Sequence, residues 1–388
     1  MILLRHSLAR TSAICVLSFL VFNRPALFAD EIAFKPIRPA IISAKTAGYA
    51  GDHSALVVGF DTLSTNPAAL AYVTKEWSFA RIAARISGPL FDIPSVLQSK
   101  DLSTGILDLV GKNKGIYFGA NLTGPLAFGK VDKNFGFGVF NRSITSADIP
   151  SLTNATIIAG EEFLLTGGYG ISLYEKEKQS ISAGIQLKGF FQTFLMEKGT
   201  SLTVLNAFTN FQVNDLPAAL STGFGLDAGL MYRFGSFNAG ITCKDLYTPV
   251  FTTRYTDFSA FKSGNAGTSV STARLDPYLS AGIVYTFPIP DTWITLSSVK
   301  VMADYRDFLD LLKPVYRNPI LNAAIGTEVT ILDVLNLRAG INETYLSTGI
   351  GLDLTLFQID FAMYGSELGI DPGKRPLLNM DLSLSFQY

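Results

Sequence analysis

Downstream of residue 29 the chain carries one histidine, His53, and one cysteine, Cys243, so the side chains that perform most protein chemistry are scarce. A serine or cysteine nucleophile needs a base beside it, most often histidine. With His53 alone, a histidine-dependent triad elsewhere in the chain is excluded, and so is a multi-histidine metal site. Asp52-His53 is read as surface polarity rather than as a metal pair. Gly136-Phe137-Gly138 and Gly223-Phe224-Gly225 look like phosphate loops only superficially. No helix signal follows either, and both lie inside alternating polar and apolar runs. Neither catalysis nor a cofactor is expected. Recognition of charge remains: Arg81, Arg85, Lys188 and Lys300 lie on the polar faces of alternating segments. Each is a candidate to meet a substrate carboxylate, and the sequence does not rank them.

The elements that must hold these residues are strands. The last eight residues, Asp381 to Tyr388, alternate without a break. Leu382, Leu384, Phe386 and Tyr388 share one face, and Asp381, Ser383, Ser385 and Gln387 share the other. Ending a chain on such a strand with an aromatic residue is the habit of outer-membrane barrels, whose assembly machinery would meet this strand. Hydrophobic residues make up 48% of the chain and charged ones 16%, yet after the first 29 residues no apolar run is long enough for a spanning helix. In lipid a closed barrel is then the structure that satisfies every backbone group.

About fourteen alternating segments can be placed from Trp77 onward, each near the roughly 9 to 11 residues a tilted membrane strand needs. Short and long connections alternate, with long ones at 88–114, 144–162, 195–221, 248–273 and 307–318. Short periplasmic turns and longer external loops have this pattern. The expected fold is all-β: a transmembrane antiparallel barrel over residues 76–388, preceded by an N-terminal hatch over 30–75. On adjacent strands, Glu328 and Arg338 form an expected inward pair.

Residues 1–29 read as an export signal, with Arg5, His6 and Arg10 before an apolar stretch from Ile14 to Phe22 and a cleavage site after Ala29. Without them, 28 basic residues face 32 acidic ones, a net charge of −4 that gives no nucleic-acid footprint. The lone Cys243 has no intramolecular disulfide partner. The expected location is the outer membrane of a diderm bacterium, as a monomer surrounded by outer-membrane lipid.

The most specific local pattern runs from Ala47-Gly48-Tyr49-Ala50-Gly51 to Phe60-Asp61 and then Asn66-Pro67-Ala68. Asn66 can cap a short helix that begins at Pro67. The arrangement resembles the outer-membrane long-chain fatty acid transporter (FadL-like) family and related hatch-bearing barrels. Gly48, Gly51, Asp61, Asn66, Pro67 and Ala68 stand at the matching places. Asp52-His53 and Phe60 depart from the family pattern. The resemblance implies a hatch that plugs a fourteen-stranded barrel and passive uptake of hydrophobic compounds such as long-chain fatty acids. It also implies a side exit at a kink in the third strand, for which Gly136 and Gly138 would serve. A secretion shuttle or surface-assembly scaffold built on the same barrel is the alternative.

Two loops are unusually apolar for exterior segments, 195–221 with Leu205, Phe208 and Phe211, and 248–273 with Val250, Phe251, Phe258 and Phe261. Exposed apolar surface on this scale marks a binding surface. The resemblance makes these residues a docking site for a hydrophobic substrate.

Overall fold

The computed structural model describes residues 36–92, 102–113, 115–201, 213–290 and 292–388, so the export-signal reading of 1–29 falls outside the described residues. The strands form one closed antiparallel sheet of fourteen barrel strands, three of which are each interrupted once. They are β1 (Glu76–Gly88), β2 (Ile116–Thr123 and Phe128–Asp132), β3 (Phe135–Ser151), β4 (Asn154–Lys176), β5 (Gln179–Gly199) and β6 (Ala218–Phe234). Then come β7 (Phe237–Tyr247 and Pro249–Tyr255), β8 (Ser269–Arg274 and Tyr278–Phe287), β9 (Leu296–Tyr305), β10 (Ala323–Ile331), β11 (Leu335–Asn342), β12 (Tyr345–Leu354), β13 (Phe357–Glu367) and β14 (Pro376–Gln387). β14 pairs with β1 from Ser78↔Gln387 to Gly88↔Leu378, which closes the cylinder and leaves no free edge.

The alternation in the sequence decides which face meets lipid. On β14, Leu382 and Phe386 are exposed while Asp381, Ser383 and Ser385 are buried inside. The same division holds on β6, where Phe224, Leu230, Tyr232 and Phe234 face outward and Asp227 inward. A slip of one residue would place Asp381 in lipid, so the register is strongly specified.

The wall is tall on one side and low on the other. β3 to β6 contain 17, 23, 21 and 17 residues, whereas β9 to β13 contain 10, 9, 8, 10 and 11. This corrects the expected loop at 144–162, where β3 and β4 continue and turn back only at Leu152-Thr153. Thr145, Ser146 and Asp148 have the composition of a loop, but the backbone stays extended, with Ile144 buried on one face and Ala147 and Ile149 on the other. Beyond the membrane the apolar side of this extension is covered by helix α2 (Leu102–Asn113). Its Leu109 and Val110 pack on Ile116, Ala147, Ile149, Ala155 and Ile157.

Residues 36–75 lie inside the cylinder and fill it as a plug. Its elements are a short helix α1 (Ala44–Gly48) and two 3₁₀ helices, Gly59–Ser64 and Pro67–Tyr72. α1 lies against β12, β13 and β14, and the second 3₁₀ helix against β4, β5 and β6. Plug residues Phe60, Leu63, Leu70 and Val73 join inward-facing Phe140, Leu164, Phe190, Val250 and Leu275 in one buried cluster. Burying each large side chain of this kind contributes roughly 1.5–3 kcal/mol.

Candidate functional site

The plug is seated by its own local chemistry first. Asn66 Oδ1 accepts from Ala68 N at 2.9 Å, which caps the Pro67–Tyr72 turn as the Asn-Pro pair suggests. The Asn66 amide then donates to Ser54 O at 2.6 Å and to the wall carbonyl of Leu230 at 3.2 Å. One side chain thus ties two plug segments to each other and to β6. Gly184, Gly229 and Gly240 form the bed beneath it, where a methyl group would collide with Pro67, Asn66 and Ser54 respectively.

Ion pairs complete the seat. Asp61 pairs with Arg81 and accepts from Ser43 Oγ at 3.1 Å. Burial alone would raise the Asp61 carboxyl, but Arg81 and Lys45 outweigh it and hold the group below its usual value. Asp304 on β9 receives His53 Nδ1 at 2.7 Å and the Ser54 backbone N at 2.8 Å, while His53 Nε2 lies 2.8 Å from Tyr49 O. His53 is fully buried, which corrects its reading as surface polarity. Both ring nitrogens lie against oxygens of the plug and its seat, so the ring is fully engaged there. Asp52 pairs with Lys244 at 2.8 Å.

The four lumen cations all point inward, and each already has a partner. Arg81 pairs with Asp61. Arg85 meets Asp381 at 2.7 Å, and Lys300 meets Glu328 at 3.0 Å. Lys188 lies 2.8 Å from Asp227 and 2.7 Å from Asp245. They are spread around the wall and are not gathered into one site. The expected Glu328–Arg338 pair is present at 2.8 Å, and Arg338 also reaches Asp360 at 2.6 Å.

Of the other motif residues, Gly48 and Gly51 approach the wall at Gly349 and Arg306, and Ala68 is buried over β5. Leu205, Phe208 and Phe211 lie outside the described residues. Val250 faces into the barrel whereas Phe251 is exposed on the opposite face. Phe258 and Phe261 stack at 5.8 Å on the short helix α3 (Phe258–Lys262). The described docking residues are therefore divided between lumen and rim.

The third-strand kink is not present. β3 runs unbroken, and Gly136 and Gly138 face the plug, close to Leu63, Leu70 and Phe60. The interruption lies in β2 at residues 124–127, and hydrogen bonds bridge it on both sides. Gly124 N donates to Asn141 O at 3.1 Å, Leu126 N to Asn141 Oδ1 at 3.0 Å and Arg81 N to Ala127 O at 2.8 Å. The glycines of β3 serve close packing with the plug rather than a bend.

An inner belt and an adjoining cavity were missed by sequence reading. Phe140, Leu164 and Phe190 stand opposite one another on β3, β4 and β5, and the row continues through Gly223 to Val250. Beside it is a cavity of about 140 Å³, with Ile41, Leu63 and Leu164 on its apolar side and Arg38, Lys188 and Lys244 on its polar side. Thr242 Oγ1 and Gln186 Oε1 line it, buried and without a hydrogen-bond partner among the described residues. A second cavity of about 270 Å³ shares Arg38, Asp52, Thr242 and Lys244 and adds Tyr278 and Arg306. The belt had a signal, in that Phe140, Leu164 and Phe190 fall on the inward parity of their strands. The cavity had none, because Arg38 comes from the plug.

Residues 25–298 match the family described as "F plasmid transfer operon, TraF, protein", and the chain belongs to that family. No curated protein matches the chain. Among solved structures, the chain is similar to the toluene transporter TbuX of Ralstonia pickettii, at 14% identity over 88% of this chain and 96% of that one, with a TM-score of 0.47. It is also similar to the toluene transporter TodX of Pseudomonas putida, at 12% identity over 89% and 97%, with a TM-score of 0.45. A FadL homologue of Pseudomonas aeruginosa matches at 14% identity over 88% and 97%, with a TM-score of 0.42.

Proposed function

We propose that this protein is an outer-membrane barrel that admits hydrophobic compounds passively, with the plug of residues 36–75 as its gate. The observation that carries the reading is the inner belt of Phe140, Leu164, Phe190 and Val250. Lumens that conduct water are lined by polar side chains. A belt of phenylalanine and leucine under a plug provides an apolar path once the plug shifts, and it is sealed until then.

Long-chain fatty acids are the substrates proposed within that class. Each acyl methylene placed against the belt gains roughly 0.8 kcal/mol. The adjoining cavity offers the head group Lys188 and Lys244, with Thr242 and Gln186 as further polar partners. The carboxylate would have to compete with Asp227 and Asp52 for these cations. Neutral amphiphiles with a hydroxyl head would meet no such competition.

The test is transfer of a fluorescent long-chain fatty acid into liposomes that hold the refolded protein, beside a Phe140→Ser, Phe190→Ser variant. Transfer above the empty-liposome rate that is lost in the variant supports the reading. No transfer by a folded barrel overturns it and favours the second reading, a secretion or surface-assembly scaffold. Two things speak for that reading. The plug backbone rests directly on Gly184, Gly229 and Gly240, as a permanent filling would, and the family's description names a plasmid transfer operon.

A further inference from the structure

We infer that the connection between β9 and β10, residues 306–322, is seated in the lipid of the outer leaflet and continues the membrane-facing wall beyond its strands. The inference rests on the barrel spanning a membrane. The connection lies at the end of the barrel opposite residues 76 and 388, where the wall is low. Its ten-residue neighbour β9 is about 33 Å long and, tilted by roughly 45°, rises only about 23 Å of the roughly 30 Å hydrocarbon thickness, so the connection begins while still within the outer leaflet.

The connection sorts its side chains by polarity. Leu312 and Val315 are 75% and 73% exposed, and Tyr316 and Ile320 are 52% and 56% exposed. Its polar groups are held by partners: Lys313, with a side chain 41% exposed, pairs with Asp310 at 3.1 Å, and the others turn inward. Arg317 donates to Glu343 at 2.8 Å and also to the Glu367 carbonyl, and its backbone N donates to Asp310 at 2.8 Å. Asn318 N donates to Ile370 O at 2.7 Å, and Arg306 N to Asn322 O at 2.8 Å. These bonds hold the backbone in place with its apolar side chains outward, so the exposure is fixed by the fold.

Continuity with the wall identifies lipid as the occupant. The ring of Tyr305, on the outward face of β9, contacts Phe308 at 4.7 Å. At the other end Ile320 leads into β10, whose Ile325 is exposed on the same outward side, and Leu346 of β12 stands nearby at the same end of the barrel. An apolar surface that joins the membrane-facing strands at both ends is completed by the same solvent. The hairpin of β7 and β8 differs. The first part of β8, Ser269–Arg274, is exposed throughout and carries Ser271, Thr272 and Arg274, as a segment in water would.

The test uses the full barrel in liposomes, in a Cys243→Ser background, with a bimane label at Val315→Cys. Ile283→Cys on the wall of β8 is the lipid reference, and Thr272→Cys is the aqueous one. The Val315 label is expected to be quenched by brominated phospholipid comparably to Ile283, and several-fold less by aqueous iodide than Thr272. Iodide quenching equal to that at Thr272, without quenching by bromolipid, would overturn the inference by placing the segment in water. Shielding from both quenchers would overturn it in favour of cover by a second protein copy. Loss of bromolipid quenching at Ile283 as well would instead show that the barrel had not inserted, a failure of the membrane reading itself.

Discussion

Asn66 is the most exacting test of how the plug is held. In Asn66→Ala, Ala68 N loses its cap and Ser54 O loses its donor, both in a fully buried position. Loss of an Asn cap costs about 1 kcal/mol. An unsatisfied buried carbonyl adds roughly 1–3 kcal/mol. Together the local stability of the plug should fall by about 2–4 kcal/mol, which is about 30- to 700-fold faster amide exchange where exchange follows local opening. The assay is hydrogen exchange read by mass spectrometry on the refolded barrel, comparing peptides from 53–72 with peptides from β13 and β14. Acceleration confined to the plug is the expected result. Asn66→Asp supplies the sign control: it keeps the acceptor for Ala68 but sets an oxygen against Ser54 O, so, measured against the parent protein at each pH, its plug should be loosened more at neutral pH than at acid pH, where a protonated carboxyl can donate. Unchanged exchange over 53–72 in the alanine variant, or equal acceleration in the strands, would refute the claim that Asn66 pins the plug.

Three further outcomes follow from the same contacts. Gly240→Val should push Ser54 off the wall and make the plug sensitive to protease while the barrel stays resistant; under the uptake reading, fatty acid transfer should also rise. Arg338→Met leaves Glu328 and Asp360 buried without their shared partner, and the midpoint of urea unfolding should fall by an amount equivalent to about 3–5 kcal/mol. Asp61 has a carboxyl pKa lowered in the folded state, so its contribution is fully present at neutral pH and is lost as pH falls below about 4 and through the folded value. Exchange protection of the plug should therefore weaken in acid, and Asp61→Asn should flatten that dependence.

The barrel was legible because membrane strands declare themselves by parity. Asp381 and Ser383 inside and Leu382 outside follow from alternation alone, and so does the facing of Glu328 and Arg338 on neighbouring strands. Strand ends were less legible. Beyond the membrane both faces of β3 and β4 meet water or α2, so Thr145 and Ser146 no longer contrast with their neighbours as lipid-facing residues would. The seat of the plug was legible at Asn66-Pro67, a cap whose chemistry is local. Its other half, the glycines of β5, β6 and β7, was hidden because Gly184 and Gly229 become adjacent only after the sheet forms. His53 was misread for the same reason, since Asp304 lies 251 positions away.

These contacts divide the lumen into two kinds of wall, and the division bears on how a gate could open. Toward β5–β7 and β9–β12 the plug lies on glycine and is bound by Asn66, Asp304 and Arg306, contacts that depend on direction and are costly to break singly. Toward β3–β5 it meets Phe140, Leu164 and Phe190 through Phe60, Leu63 and Leu70, contacts that an apolar molecule can replace at little net cost, and its polar ties there are the Asp61–Arg81 pair and the Gln186 bond to the Leu63 carbonyl. A hydrophobic ligand that also draws Asp61 away from Arg81 would therefore displace the plug on the belt side while the polar side holds as the hinge. Phe60→Ala should then ease opening on the belt side without releasing 49–54, whereas Asp304→Asn should loosen 49–54 and leave the belt closed. Exchange rates of the two plug segments in these two variants distinguish a hinged gate from a plug that leaves as one body, for which both substitutions would accelerate both segments alike.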